Sequence, residues 1–581
     1  MARYVFGLAA LGTAGAFVVW GSWRLRRALL PDWSGALARL AEAVIALAEV
    51  IAVEEVLGVV GLFRLGALVV AVAAAGLGVG VLAGRNGQLG RSPSPSGSPG
   101  RRVGEGGRAM PAVAGTVSAL VVSQWAARAL YVLRHGMDNV DSLWFHLPFA
   151  ARAMQSGWLI QPHFTDVDPL TTYFPATPEL LHGMGMLAFG RDNLSPLLNV
   201  AWLGLVMLAA WCVGRPSGMA AYSLTGVAVV LATPLMVVSQ PGQATNDTAG
   251  IFFLLAAVAF LLNGASTVPA SALAGLAGGL AVGCKLSLLA PVAALTIAAI
   301  GVAPRGRRRS AGVAWTLPLV LAGGYWYARN LAVSGNPLPW FRLGIGRLRL
   351  ASPSFPVTRP LRYSILHYAG DRRVWDRFFH PGLVHDLGTA WAAVLLVPLG
   401  GLLVLAVVAR HPLARASAIV GVLAAVAYVV TPNGAGGPQG QPFLFLYNMR
   451  YLTPALAIGF ALIPSVSLRW PASRPVVAGA LVALLVATET GAGPLPAWPA
   501  GRRAQDMAAA AGVAVLSGLL VLASRRPVPW LQWRIVRRAA LLGGVALALP
   551  LGWWEQSAWA GARYDRAPPA YAWARHVSDA R

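Results

Sequence analysis

Apolar runs of about 17 to 23 residues recur through most of the chain, separated by short polar stretches, and a helix of that length crosses the hydrocarbon layer of a bilayer. The first such runs fall at 5–23 and 65–84. Between them the segment 38–60 carries Glu42, Glu49, Glu54 and Glu55, so it either spans the membrane or lies along its surface. After a run at 111–133, the pattern predicts helices near 196–214, 219–238, 247–263, 271–286, 287–303 and 311–329. A further set follows near 389–409, 416–431, 451–467, 475–490, 507–523 and 539–554. The total is about sixteen passes, or fewer if the glutamate-bearing run or the pair around Lys285 is half-spanning. Ten-residue segments alternating apolar and polar positions, the mark of a membrane barrel, are not the pattern here. The expected fold is all-α, a polytopic transmembrane helical bundle.

Composition agrees. With 57% hydrophobic and 12% charged residues and a mean hydropathy of +0.62, the chain has too little polar surface to cover a soluble globule of 581 residues. The net charge of +25 does not indicate nucleic acid, because the basic residues are scattered between apolar runs and form no single basic face. Cys212 and Cys284 sit in or beside apolar runs and offer neither a disulfide framework nor a metal-ligand spacing. Residues 5–23 lack a basic leader and a small-residue cleavage site and read as a retained helix.

The positive-inside rule orients the passes. Arg24, Arg26 and Arg27, the Gly/Ser/Pro/Arg linker at 85–110, the RGRRR cluster at Arg305–Arg309, and the arginines at 410, 415, 469, 474, 525, 526, 534, 537 and 538 all fall on one side of the alternation. The chain thus divides into N-terminal transmembrane helices (1–84), the cytoplasmic linker (85–110), a main transmembrane domain (111–554) and an outer tail (555–581). Two long extracytoplasmic loops interrupt the main domain, near 135–195 and 330–387.

Ionisable groups concentrate in the first of these loops. Asp138 and Asp141 are three apart and share a face if the segment is helical, so that one takes a proton while the other positions a partner. Alternatively, Asp141 and Ser142 cap the amphipathic helix that follows. His146, Tyr173, Glu179 and His182 complete the candidate cavity lining, without a convincing metal-ligand spacing. Asn246 and Asp247 open a helix on the outer side, where Asp247 either caps it or borders the same cavity.

DSLWFHLPFAARAMQSG followed by YFPATPELL resembles the first extracytoplasmic loop of the polyprenyl-phosphate-sugar-dependent GT-C glycosyltransferases, the superfamily of protein O-mannosyltransferases and the lipid A aminoarabinose transferase. GLAGGLAVGCK (275–285), GGYWYARNLAVSGNPLPW (323–340) and YNMRYLTPALA (447–457) resemble later blocks of bacterial members, in matching order, so that the likeness covers roughly 111–470. The resemblance implies an inverting transfer in a bacterial plasma membrane, with the active site on its extracytoplasmic face. A loop aspartate, Asp141 or Asp138, acts there as general base on an acceptor hydroxyl, which belongs to an envelope glycan, lipid or protein. Many members carry an adjacent Asp-Glu pair, whereas Asp141 precedes Ser142. Some members use a divalent metal ion and others do not, which leaves metal use open.

An anionic leaving group needs fixed positive charge. Arg329 and Arg450 lie at outer helix ends inside family-like blocks, and Lys285, the only lysine in the chain, sits at the outer end of a helical pair. These three are the candidate donor-phosphate ligands, with snorkelling to the headgroups as the alternative. Eight further arginines lie between Arg342 and Arg377 in the second loop, against the positive-inside bias. A transporter or lipid flippase would share the polytopic architecture, but no repeated halves are evident and the acids cluster outside the membrane.

Overall fold

A computed structural model describes residues 2–89, 109–166, 168–192, 194–264, 267–345, 348–351, 362–432 and 434–490. The helices expected at 507–523 and 539–554, the tail at 555–581 and the linker residues 90–108 lie outside the described residues.

Helices form from the apolar runs because backbone polar groups in lipid must satisfy one another within the segment. The first four are α1 (Ala2–Leu29), α2 (Gly35–Val59), α3 (Leu65–Leu89) and α4 (Ala109–His135). In the first long loop a π-helical turn (Ser142–His146) runs into α5 (Leu147–Ser156), followed by α6 (Thr177–Phe189). Then come α7 (Ser195–Gly214), α8 (Ala220–Leu231), α9 (Pro234–Ser239), α10 (Asp247–Gly264), α11 (Val268–Cys284), α12 (Leu289–Val302), α13 (Arg308–Gly323) and α14 (Tyr325–Ser334). The second long loop holds α15 (Arg372–Val374), another π turn (Trp375–Phe379) and α16 (His380–Leu387). It is followed by α17 (Trp391–Val408), α18 (Pro412–Val430), α19 (Phe445–Asn448), α20 (Thr453–Leu462) and α21 (Arg474–Thr490). Among the described residues the only strands are two short antiparallel pairs: β1 (Gly344–Ile345) with β2 (Leu348–Arg349), and β3 (Arg362–Tyr363) with β4 (Ala435–Gly436). The second pair ties the second loop to the segment after α18.

The protein is an all-α, polytopic membrane protein. Nine segments of the described residues are long and apolar enough to span, or ten if Leu286–Val302 and Arg305–Gly323, bent by 118°, count as one. The glutamate-bearing α2 is not among them. The pass expected at 219–238 is broken into α8 and α9 at Pro234, which lacks the N–H a continuing helix needs. The pass expected at 311–329 likewise ends at Gly323, and α14 takes up the chain after Gly324.

At the centre lies α10, which is apolar around its whole circumference, as a helix enclosed on all sides must be. Of its residues only Leu262 and Asn263 are not buried. It packs on α7, α11 and α20, with Trp202 of α7 edge-on to Phe253 at 5.6 Å between ring centroids. Glycines set the approach of α11 to α13. A Cβ on Gly275 would lie 2.1 Å from the Trp315 carbonyl oxygen, one on Gly279 2.4 Å from that of Leu319, and one on Gly323 2.4 Å from that of Gly279. Glycines four apart thus let the two backbones touch, the small-residue packing that replaces hydrophobic drive between helices in lipid. This fixes the C-terminal end of α11, and with it Lys285.

Candidate functional site

Asn139 starts the site. Its Oδ1 accepts hydrogen bonds from the backbone N–H groups of Asp141 at 3.0 Å and Ser142 at 3.2 Å. The capping expected of Asp141 and Ser142 is therefore performed by Asn139, because their own side chains point elsewhere; Ser142 Oγ accepts from the Ala244 N–H at 2.9 Å. The turn that follows is π-helical, with Leu147 N–H bonded to the Ser142 carbonyl, and its wider winding brings Asp141 and His146, five apart, to one cavity. Asp138 does not share their face, since it precedes the helix. Its carboxylate accepts from Gln243 Nε2 at 2.6 Å and from Arg128 Nη2 at 3.1 Å.

Four charges meet in this cavity region. Arg450, on the 3-10 turn entering α20, is ion-paired with Asp141 Oδ2, and its Nη1 lies 3.9 Å from Asp247 Oδ2. Lys285, at the break between α11 and α12, is ion-paired with Asp247 Oδ1. The Tyr451 ring lies 4.8 Å from Lys285 Nζ and 5.4 Å from the Arg450 guanidinium carbon, so one aromatic face serves two cations. Side-chain exposures of 3% for Asp247, 11% for Arg450 and 15% for Lys285, against 39% for Asp141, make Asp141 the member open to an incoming molecule. Burial acts to raise the Asp141 carboxyl, but the charges of Arg450, His146 and Lys285 and the Arg450 hydrogen bond outweigh it and hold it at about 2.

Asp247 faces these cations and does not cap α10. Gln240 caps the helix instead. Its Oε1 accepts from Thr248 N at 3.4 Å and Thr248 Oγ1 at 3.0 Å, while its Nε2 donates to Asp247 Oδ2 at 3.1 Å.

A second, separate dyad adjoins. His146 Nδ1 is hydrogen-bonded to Glu179 Oε1, and Asn246 Nδ2 donates to the same oxygen at 3.2 Å and to the Cys284 carbonyl at 2.9 Å. Glu179 is fully buried, and its Oε2 meets no partner among the described residues. His182 is buried nearby on α6. Burial first, and then the neighbouring His146, push its imidazole down to about 3, so it is neutral.

Asp141, His146, Lys285 and Arg450 border a cavity of about 370 Å³. Asp141, His146, Asn246, Lys285, Arg450 and Tyr451 supply its polar wall, while Leu289 and Ala290 of α12 and Ala424 and Ala427 of α18 supply an apolar flank. These elements meet at one end of the bundle. The opposite end of α11 meets Pro304 and Arg307, so the arginine-bearing turns lie at the far side.

Six predicted residues do not line the cavity: Asp138, Glu179 and Asp247 sit one step behind it, Glu179 through His146 and Asp247 through Lys285 and Arg450, and Arg329, Tyr173 and His182 stand further apart. Arg329 is buried against the first loop, donating to the Thr172 carbonyl at 2.5 Å and to Asn330 Oδ1 at 3.0 Å, with its guanidinium 4.9 Å from the Trp326 ring. Asn330 Nδ2 donates to the Tyr173 carbonyl at 2.8 Å, and Trp326 Nε1 to Thr177 Oγ1 at 2.9 Å, so α14 clamps residues 172–177. Arg329, Tyr173 and His182 do not line the cavity. Arg329→Ala should therefore cost about 1.5–3 kcal/mol in stability and make the 169–176 segment susceptible to limited proteolysis, with donor binding retained. Loss of donor binding with unchanged proteolysis would contradict this assignment.

Sequence reasoning did not single out Asn139, Gln240, Gln243 or Tyr451, nor Tyr428 of α18, which also lines the cavity. The cluster PGQATND at 241–247, polar between apolar helices, is a signal that points to Gln243. Among the described residues no three His, Cys, Asp or Glu side chains are grouped to hold a metal ion.

Fold and site together define a polytopic helical membrane protein with a charge-lined cavity at one end of its bundle. No family profile and no curated protein matches the chain. Two solved structures are similar to it, both of ArnT from Cupriavidus metallidurans. The one bound to undecaprenyl phosphate has 16% identity and a TM-score of 0.38 over 78% of this chain and 76% of that one. The apo form has 17% identity and a TM-score of 0.37 over 75% and 76%.

Proposed function

We propose that the protein transfers a sugar, with inversion, from a polyprenyl-phosphate donor to an acceptor hydroxyl on the extracytoplasmic face of a bacterial plasma membrane. The observation that carries this reading is one cavity in which an accessible carboxylate, Asp141, adjoins two cations, Arg450 and Lys285, beside an apolar flank from α12 and α18. A lipid phosphate suits such a place, because its chain can lie along the flank while its headgroup meets guanidinium and ammonium donors. Asp141 receives the hydrogen bond of the acceptor hydroxyl and aims its oxygen at the anomeric carbon. Arg450 and Lys285 stabilise the negative charge that grows on the departing phosphate. The gathering of arginine-bearing turns at the other end of the bundle supports the extracytoplasmic placement.

Purified protein in proteoliposomes, given a radiolabelled polyprenyl-phosphate sugar and candidate envelope acceptors, tests the reaction. Transfer consumes the lipid-linked sugar, whereas a flippase moves it intact. Asp141→Asn should reduce turnover by at least about 10²-fold, and Lys285→Ala should chiefly raise the donor KM. Full activity in Asp141→Asn, or unchanged donor affinity in Lys285→Ala, would remove that residue from the mechanism.

A further inference from the structure

The role of proton acceptor does not suit Asp141. Its carboxylate is already ion-paired with the Arg450 guanidinium, and the charges of Arg450, His146 and Lys285 hold its carboxyl below the usual range, which weakens it as a proton acceptor. The hydroxyl proton needs another destination within the cavity.

Resting on the transfer reaction proposed above, we infer that His146, oriented by Glu179, is the side chain that takes the acceptor's proton. The geometry has three parts. The π turn places His146 in the same cavity as Asp141, which a regular α-helical turn over five residues would set well apart. Its Nδ1 faces the Glu179 carboxylate, so the N–H belongs on Nδ1 and the lone pair on Nε2, as in other carboxylate-backed histidines. Glu179 in turn is fully buried and steadied by Asn246, which is anchored on the Cys284 carbonyl beside Lys285. The proton acceptor and the phosphate ligand are thus built on one framework.

The step balances without a further reagent. A lone pair of the acceptor oxygen forms the bond to the anomeric carbon as the bond from that carbon to the phosphate oxygen breaks, its electron pair leaving with the polyprenyl phosphate. The hydroxyl proton passes to His146 Nε2, and the imidazolium so formed is stabilised by Glu179 and later returns its proton to water. Asp141 directs the hydroxyl and Glu179 is a positioning residue. The charged and titratable groups around His146 are Asp141 before its own turn, Asp166 of the first loop, Glu179 and His182 of α6, Asp247 of α10, Cys284 and Lys285 at the end of α11, Tyr428 of α18, and Arg450 and Tyr451 before α20. His182, held neutral, adds no charge.

The pH profile of transfer by the full-length protein in proteoliposomes tests this, with donor binding measured separately by isothermal titration. Wild type should lose rate as pH falls, because imidazole is protonated before it can accept. His146→Gln should lower the plateau by about 10²-fold with donor affinity unchanged, and remove that acid limb. In Glu179→Gln the limb should move to lower pH, since removing the carboxylate destabilises the imidazolium, and the plateau should fall. Near-wild-type turnover in His146→Gln, or an acid limb unmoved by Glu179→Gln, overturns the inference. Should His146→Gln fail to elute as a monodisperse species, the limb of Glu179→Gln decides. Absence of any transfer by wild type, with donor bound, would instead defeat the transferase reading itself.

Discussion

Arg450→Gln is expected to abolish nearly all transfer, by about 10²–10³-fold, because this one side chain both neutralises Asp141 and approaches Asp247. Glutamine retains hydrogen-bonding capacity but not the charge that a departing phosphate needs. The effect should fall on turnover and donor affinity together, which separates it from Asp141→Asn, where donor affinity survives. Stability should suffer less, by about 1–3 kcal/mol, since Asp247 keeps Lys285 and the more exposed Asp141 turns to water. Arg450→Lys should recover part of the activity, because a single ammonium cannot serve two carboxylates with the forked geometry of guanidinium. Turnover and donor titration of the three variants check this; wild-type kinetics in Arg450→Gln would take the residue out of the site.

The second large effect should come from Gly279→Leu, far from any reacting atom. Its Cβ would sit 2.4 Å from the Leu319 carbonyl oxygen, so α11 and α13 must separate. The close-packed seam would open, at a cost of about 3 kcal/mol or more, and the C-terminal end of α11 would carry Lys285 out of register with Asp247. Gly204→Ala on α7 is the control, since nothing lies within 4 Å of the added atom. Thermal unfolding in detergent should show a large drop for the first variant and none for the second. Equal melting temperatures would show that the seam does not depend on backbone proximity.

Much of the bundle was legible because lipid leaves the backbone few options. The uninterrupted apolar run of α10 announced a helix, and the breaks at Pro234 and Gly324 lie at residues known to interrupt one. Asp141, Lys285 and Asp247 were legible as charges at helix ends, and the structure brings all three together. Their surroundings were less so. The pairing of Asp138 with Asp141 assumed a regular helical period, whereas residues 136–139 are irregular and the turn after Asp141 is π-helical. Arg329 and Arg450 look equivalent in sequence, each at a helix end among aromatic residues. Only packing separates them, one clamping loop carbonyls and the other joining two carboxylates. Amides such as Gln240 and Gln243 left almost no trace, because a neutral side chain recruited by a partner distant in the chain has no periodic signature.

The enclosure of α10 bears on how such a chain is assembled. Among the described residues α10 is buried along all of its length but Leu262 and Asn263, yet it emerges after α7 and before α11 and α20, and so begins with part of its circumference facing acyl chains. Each later arrival strips lipid from another side. Biogenesis is thus a progressive wrapping, in which α20 and the turn bearing Arg450 come late, and the charged cavity gains its guanidinium only as the wrapping closes.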